Sequence, residues 1–298
     1  MPLNKPIHPI AITRTGSMLN YDVFVAPEAR YVAPPPRVRN SDSPAWDPKT
    51  STLVFGAHEA VLVDTLETIR EATALAAWID LHDRRLTTIY ITHGHVDHFL
   101  GLPILLDRFP HARAVATAGT VEAMRQYTTP EALDKGPRAR FPGQIADKIA
   151  LAEPLDSTEF EVEGHPLVVI ETGHTDTLNT TSLHVPELGL MVSGDVAYNH
   201  CHMFLGATTG ESRAEWIAAL DRLAAFNPTA VVTGHKDPTQ GNSPTVIAES
   251  RGYIEYYDKQ RGAGLSDQEL FDAMVTRYPD WVSRQEFLIL PWLSPVGR

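Results

Sequence analysis

The stretch that decides the fold is Leu86-Thr87-Thr88-Ile89-Tyr90-Ile91-Thr92-His93-Gly94-His95-Val96-Asp97-His98. Its first seven residues are apolar or β-branched, which predicts a buried strand running straight into His93. Three histidines and an aspartate then fall within six positions. Imidazole and carboxylate are good ligands for zinc and its first-row neighbours, and packing alone gives no reason to cluster them. Gly94 lets the backbone turn tightly. His95 and His98 are three apart, so they can share one side of a first helical turn. The reading continues as a helix over 97–109 and a strand over 112–116.

One ion cannot take all four groups and still hold a substrate, so further ligands are expected elsewhere. Three later residues repeat the same local grammar. His174 follows the strand 167–171 through Thr172-Gly173, Asp195 follows 188–193 through Gly194, and His235 follows 230–233 through Gly234. Each is strand, then glycine, then a ligand type, and glycine there lets the backbone approach an ion.

Outward from these motifs, 52–55 and 60–63 form a hairpin signal around Gly56-Ala57-His58-Glu59. Apolar residues at 69, 72, 75, 76 and 79 give a helical period over 68–81. Residues 181–185 read as a strand. An amphipathic helix covers 211–226, and two more cover 245–260 and 265–278. Strands are also expected within 10–25. Residues 26–48 carry six prolines and read as a long loop, either a surface connection or a rim over a site. Each half of the chain thus runs strands first and helices after, which suggests two similar halves packed sheet to sheet with helices outside. The reading is a single domain over 1–298, with C-terminal helices and a tail over 245–298.

The ordered set His93-x-His95-x-Asp97-His98, His174, Asp195, His235 resembles the metallo-β-lactamase superfamily. Val61-Leu62-Val63-Asp64-Thr65 resembles its upstream strand-end motif, and the resemblance covers roughly residues 50–240. It implies an α/β fold, a four-layer αβ/βα sandwich. It also implies two zinc ions per chain, with iron or manganese as alternatives. His93, His95 and His174 would hold the first, Asp97, His98 and His235 the second, and Asp195 would bridge them. Asp64 would orient a ligand. Two such cations lower the pKa of a shared water toward ~7, and the resulting nucleophile attacks a carbonyl carbon. Asp97 would also guide a proton toward the leaving group.

Within that resemblance, a tyrosine at position 198 is similar to the lactonases, where its hydroxyl reaches the substrate carbonyl. This favours a small lactone or cyclic amide. His174-Thr175-Asp176-Thr177 departs from the His-[Thr/Ser]-Pro-Gly pattern of glyoxalase II-like members, which weighs against a thioester. A mononuclear iron sulfur dioxygenase is the other alternative. His200-Cys201-His202 looks like a metal fragment, but the family gives it no role, and it reads as pocket wall or packing. Trp281, Phe287 and Trp292 read as pocket lining, tail docking or a dimer contact.

Composition bounds the rest. Of 298 residues, 43 % are hydrophobic and 21 % charged, which describes a globular chain. Its formal charge of −12, with no basic run, makes nucleic acid an unexpected partner. No apolar stretch is long enough for a membrane span. One cysteine and a start without an apolar h-region lead to a cytoplasmic expectation. The expected partner is a small-molecule substrate, acted on by a monomer or homodimer.

Overall fold

The structure is a computed structural model and describes residues 19–26, 29–30 and 45–291. In chain order the elements are β1 (Asn20–Val25), β2 (Ala29–Arg30), β3 (Ala45–Trp46), β4 (Thr50–Phe55), β5 (Glu59–Val63), α1 (Ile69–Asp80), β6 (Arg85–Tyr90), α2 (Val96–Phe99), α3 (Leu102–Arg108) and β7 (Arg113–Ala116). There follow α4 (Ala118–Tyr127), α5 (Pro130–Lys135), α6 (Pro137–Arg140), β8 (Glu153–Pro154), β9 (Glu159–Val162), β10 (His165–Gly173), β11 (Thr180–Val185) and β12 (Leu190–Gly194). The chain continues with α7 (Gly210–Ala224), β13 (Ala230–Thr233), α8 (Val246–Gly262), α9 (Asp267–Arg277) and α10 (Glu286–Ile289). One sheet has the order β1-β4-β5-β6-β7-β8 and the other β13-β12-β11-β10-β9, while β2 and β3 pair with each other.

Alternation along the strands builds the layers. On β5, Val61 and Val63 join the core between the sheets, with Leu183, Val192 and Val232 from the second sheet. Ala60 and Leu62 face the other way, onto Leu75 and Ile79 of α1. On β12, Leu190 and Val192 enter the inter-sheet core, whereas Met191 packs with Trp216, Leu220 and Leu223 of α7. The result is helix, sheet, sheet, helix, the four-layer arrangement expected from the sequence. Among the described residues no helix is long and apolar enough to cross a membrane.

The hairpin forms as read, β4 pairing antiparallel with β5 through Phe55↔Ala60. The helix α1 starts at a capping box: Thr68 Oγ1 accepts from Glu71 N at 3.2 Å, and the Glu71 carboxylate accepts from Thr68 N at 2.9 Å. The helix expected over 97–109 is two pieces, α2 and α3. At Gly101 a Cβ would meet Thr65 O at 2.1 Å, so the chain bends there to pass the β5–α1 connection. The loop 26–48 brings its ends together, since β2 and β3 are antiparallel. Its residues 27–28 and 31–44, and the part of the 10–25 stretch before Leu19, lie outside the described residues, while β1 forms within that stretch. Sequence pattern places no element between 117 and 158, yet α4, α5, α6 and β8 lie there. Short-range cues exist: Thr117 caps α4, and Thr129 caps α5 with Pro130 at its first turn.

Candidate metal centre

The expected ligands converge on one edge of the sandwich. His93 leaves the end of β6, while His95, Asp97 and His98 follow on the turn into α2. Asp195 follows β12 directly, and His235 follows β13 after Gly234. Two groups form. His93, His95, Asp176 and Asp195 offer ligand atoms within 4.8 Å of one another, and so do Asp97, His98 and His235. Asp195 also reaches the second group, its Oδ2 lying 3.2 Å from His235 Nε2 and its Oδ1 3.4 Å from His98 Nε2.

Six of the seven expected ligands therefore assemble, and His174 does not. It is half-buried and belongs to neither group. The physical reason lies in the turn after β10. Gly173 takes a left-handed φ of 85°, and Thr175 N donates to Thr177 O at 3.0 Å. This local turn aims the third residue beyond the strand inward. Asp176 Oδ2 lies 2.7 Å from His95 Nδ1 and 3.6 Å from His93 Nε2, while Thr175 Oγ1 donates to Asp176 Oδ1 at 2.7 Å.

Backing groups fix the imidazoles. Asp64 is buried at φ 62°, a conformation an aspartate adopts only when its surroundings hold it there. Its carboxylate accepts from Thr92 N at 2.9 Å, from Thr92 Oγ1 at 2.8 Å and from His98 Nδ1 at 2.9 Å. The Thr92 proton is thus committed to Asp64, so Thr92 Oγ1 accepts from His93 Nδ1 at 3.0 Å. His93 then turns an unprotonated Nε2 toward the cluster, and His98, held through Nδ1 by Asp64, turns its Nε2 there too, the orienting role expected of Asp64.

The residues fit a divalent cation. His93 Nε2, His98 Nε2, Asp176 Oδ2 and Asp195 Oδ1 are buried without a hydrogen bond of good geometry among the described residues. Ligand bonds of ~2.1 Å in a tetrahedron place donors about 3.4 Å apart. The edges across the second group are 3.5 Å from His235 Nε2 to Asp97 Oδ2 and 3.9 Å from His98 Nε2 to Asp97 Oδ1. Charge tells the same story. Burial pushes His93 down to about 4, aided by the charge on His98. Burial also opposes protonation of His95 and His235, but Asp176 and Asp195 respectively outweigh it and raise both to about 9. Burial would lift Asp97 and Asp195, yet the neighbouring histidines hold both below the usual carboxylate range. The buried carboxylates thus draw positive charge to this edge, the electrostatic setting that a cation requires.

Gly234 sets how closely β13 approaches Asp195. A Cβ there would meet Asp195 Oδ1 at 2.0 Å and His98 Cε1 at 2.9 Å. Gly234→Ala is expected to keep the fold, displace that carboxylate and lower kcat/KM by about 10²-fold, since ångström-scale misplacement costs that much. Circular dichroism with steady-state kinetics on the same preparation checks it; unchanged kcat/KM would contradict it.

A cavity of about 280 Å³ opens on both groups. One wall is Tyr127, Ala132, Pro137 and Arg140, supplied by the helices α4–α6 that sequence pattern does not reveal. Phe204, Ala207 and Leu288 line it as well. Tyr198 is buried, stacks on His235 and donates from its hydroxyl to Asp195 Oδ2 at 3.0 Å. Asp47, also unanticipated, reaches the cavity, and burial pushes its carboxyl up to about 7. His202 points away into packing, with Nδ1 2.9 Å from the Tyr253 hydroxyl. His200 stacks on Trp281 and faces Glu249. Trp281 itself stacks on Tyr253, docking the C-terminal segment on the core, while Trp292 and the Phe287 side chain lie outside the described residues.

Paired His/Asp groups at the strand ends of an αβ/βα sandwich define a metal-binding hydrolase architecture. The chain belongs to the Metallo-beta-lactamase superfamily, whose family model matches residues 44–235. It is similar to a metallo-beta-lactamase family protein from Thermus thermophilus, with TM-score 0.62 and 19 % identity over 90 % of each chain. A metallo-beta-lactamase from Pontibacter korlensis gives TM-score 0.55 and 17 % identity over 78 % of this chain and 99 % of that one. At such identities the likeness shows the fold alone. A hydroxyacylglutathione hydrolase from Synechococcus sp. (strain CC9605) is 35 % identical over 72 residues, which is 24 % of this chain and 27 % of that protein.

Proposed function

We propose that the protein is a hydrolase using two divalent ions, with zinc the first candidate, and that it opens a small lactone-like or cyclic amide-like substrate. The observation that carries this is the pair of buried donor groups joined by Asp195 at the floor of one cavity. Bound ions would supply Lewis acidity and lower the pKa of a water held between them toward ~7. His93, His95 and Asp195 would hold the first ion, and Asp97, His98, His235 and Asp195 the second. The Asp97 carboxylate lies on the cavity wall, placed to carry a proton toward a leaving group. The apolar side chains of Phe204, Ala207 and Leu288 would exclude water from the acyl part of a small substrate. The chain's strong negative charge disfavours a nucleic-acid substrate.

Tyr198 supports the ring-opening reading. Its hydroxyl already donates to Asp195 Oδ2 and lies on the cavity wall, so it can turn that donor toward a developing carbonyl oxyanion. Tyr198→Phe is expected to lower kcat for lactone opening on the order of 10²-fold, with KM little changed. Equal loss in kcat and rise in KM would point to a packing role instead.

The second reading is a thioester hydrolase, favoured by the match to the hydroxyacylglutathione hydrolase and opposed by Asp176 where the Pro of His-[Thr/Ser]-Pro-Gly would stand. A hydrolysis screen of lactones, cyclic amides and glutathione thioesters on metal-reconstituted protein separates the two. Turnover of thioesters alone would replace the lactone reading. One bound iron with oxygen consumption would replace both with a sulfur dioxygenase.

A further inference from the structure

The first donor group carries a carboxylate that the resemblance does not lead one to expect. Asp176 is 4 % exposed, its Oδ2 faces both His93 Nε2 and His95 Nδ1, and that oxygen lacks a hydrogen bond of good geometry among the described residues. The turn is closed by backbone and threonine contacts: Thr175 N to Thr177 O, Thr172 Oγ1 to Thr180 O at 2.7 Å, and Thr180 Oγ1 to Thr177 O at 3.1 Å. Among the described residues this oxygen is met by imidazole nitrogens, His95 Nδ1 at 2.7 Å and His93 Nε2 at 3.6 Å, and a buried carboxylate is costly unless positive charge sits with it.

We propose that Asp176, not His174, is the third protein ligand of the first metal position, and that it shifts this position's preference from zinc toward manganese or ferrous iron. Both positions then have the same donor set of two imidazoles and two carboxylates, Asp195 being shared. Asp97, Asp176 and Asp195 bring three negative charges to two divalent ions. With one further negative charge from a deprotonated water the centre would be neutral, whereas histidine at the third place would leave one net positive charge. Carboxylate oxygen is a harder donor than imidazole; oxygen-rich sites suit manganese, and imidazole also suits iron. A neutral centre also attracts anionic substrates less than a cationic one, which agrees with an uncharged ring as substrate.

This inference rests on the two-metal reading, and the experiment separates the two. Metal-free full-length protein and the variants Asp176→Asn, Asp176→His and His174→Ala are titrated with zinc, manganese and cobalt(II). Bound metal is read by elemental analysis, the cobalt site by its visible absorption, and folding by circular dichroism. The wild type and His174→Ala are expected to take two ions with the same cobalt spectrum. Asp176→Asn is expected to lose one ion or bind it at least tenfold more weakly. Asp176→His is expected to restore two ions, alter the cobalt bands and raise the zinc-to-manganese affinity ratio at least tenfold. Loss of an ion in His174→Ala, with both ions and the ratio kept in the two Asp176 variants, would overturn the proposal. A wild type that takes no ion would overturn the two-metal reading and this inference with it. If Asp176→Asn fails to fold, the ratio in Asp176→His still decides.

Discussion

Asp195→Ala is expected to reduce hydrolysis by at least about 10³-fold, equivalent to roughly 4 kcal/mol of barrier. Among the described residues, Asp195 is the one side chain whose oxygens lie against histidines of both donor groups: His93 at 3.8 Å, His98 at 3.4 Å and His235 at 3.2 Å. It also accepts the Tyr198 hydroxyl, so its loss would remove a proposed metal ligand and release the proposed catalytic donor together. The substitution should not unfold the chain. Asp195 belongs to none of the three apolar clusters, so the sandwich is expected to persist while His98 and His235 lose their carboxylate partner. Metal content, melting temperature and kcat/KM on one preparation test this. Full activity in Asp195→Ala on any lactone, cyclic amide or thioester would remove the metal-centred account.

Lys49→Met is expected to cost about 3–5 kcal/mol of stability, the usual consequence of removing one partner from a buried ion pair. Lys49 is 1 % exposed, and its Nζ lies 2.9 Å from Glu71 Oε1 and 3.6 Å from Glu67 Oε2. Arg140 reaches Glu67 from the other side at 3.0 Å. Burial would push the Lys49 ammonium down, but Glu71 and Glu67 outweigh it and hold it charged. Methionine would keep the volume and leave two buried carboxylates with one cation between them. The same segment is stitched to the metal edge, since Thr50 N donates to Gly234 O at 2.8 Å and Lys236 N to Pro48 O at 3.3 Å. Denaturant unfolding measures the change; a loss under about 1 kcal/mol would place the pair among those of little net worth.

The wall made by α4–α6 shows what local pattern cannot supply. α5 and α6 span only six and four residues, too short for a helical period to show, and α4 offers mainly Val121, Met124 and Tyr127, although Thr117 and Thr129-Pro130 mark two starts. Only packing on the core through Val121, Met124 and Leu133 makes them a wall of the cavity. Asp47 was illegible for another reason: it becomes part of the site because the chain beyond the proline-rich stretch runs beside His235, a contact between residues far apart in sequence.

The two-sheet sandwich and six of the seven side chains proposed to hold metal are legible in the sequence. Strand period and strand-end glycine are local signals, and His93, His95, Asp97, His98, Asp195 and His235 all sit where a strand ends. The remaining proposed ligand, Asp176, shows only in the tertiary structure. In Gly173-His174-Thr175-Asp176 two nearby ligand types compete, and the choice depends on a left-handed glycine and a turn closed against Thr177 and Thr180. Three residues within one turn point in different directions, and spacing alone does not say which one faces the other sheet's histidines.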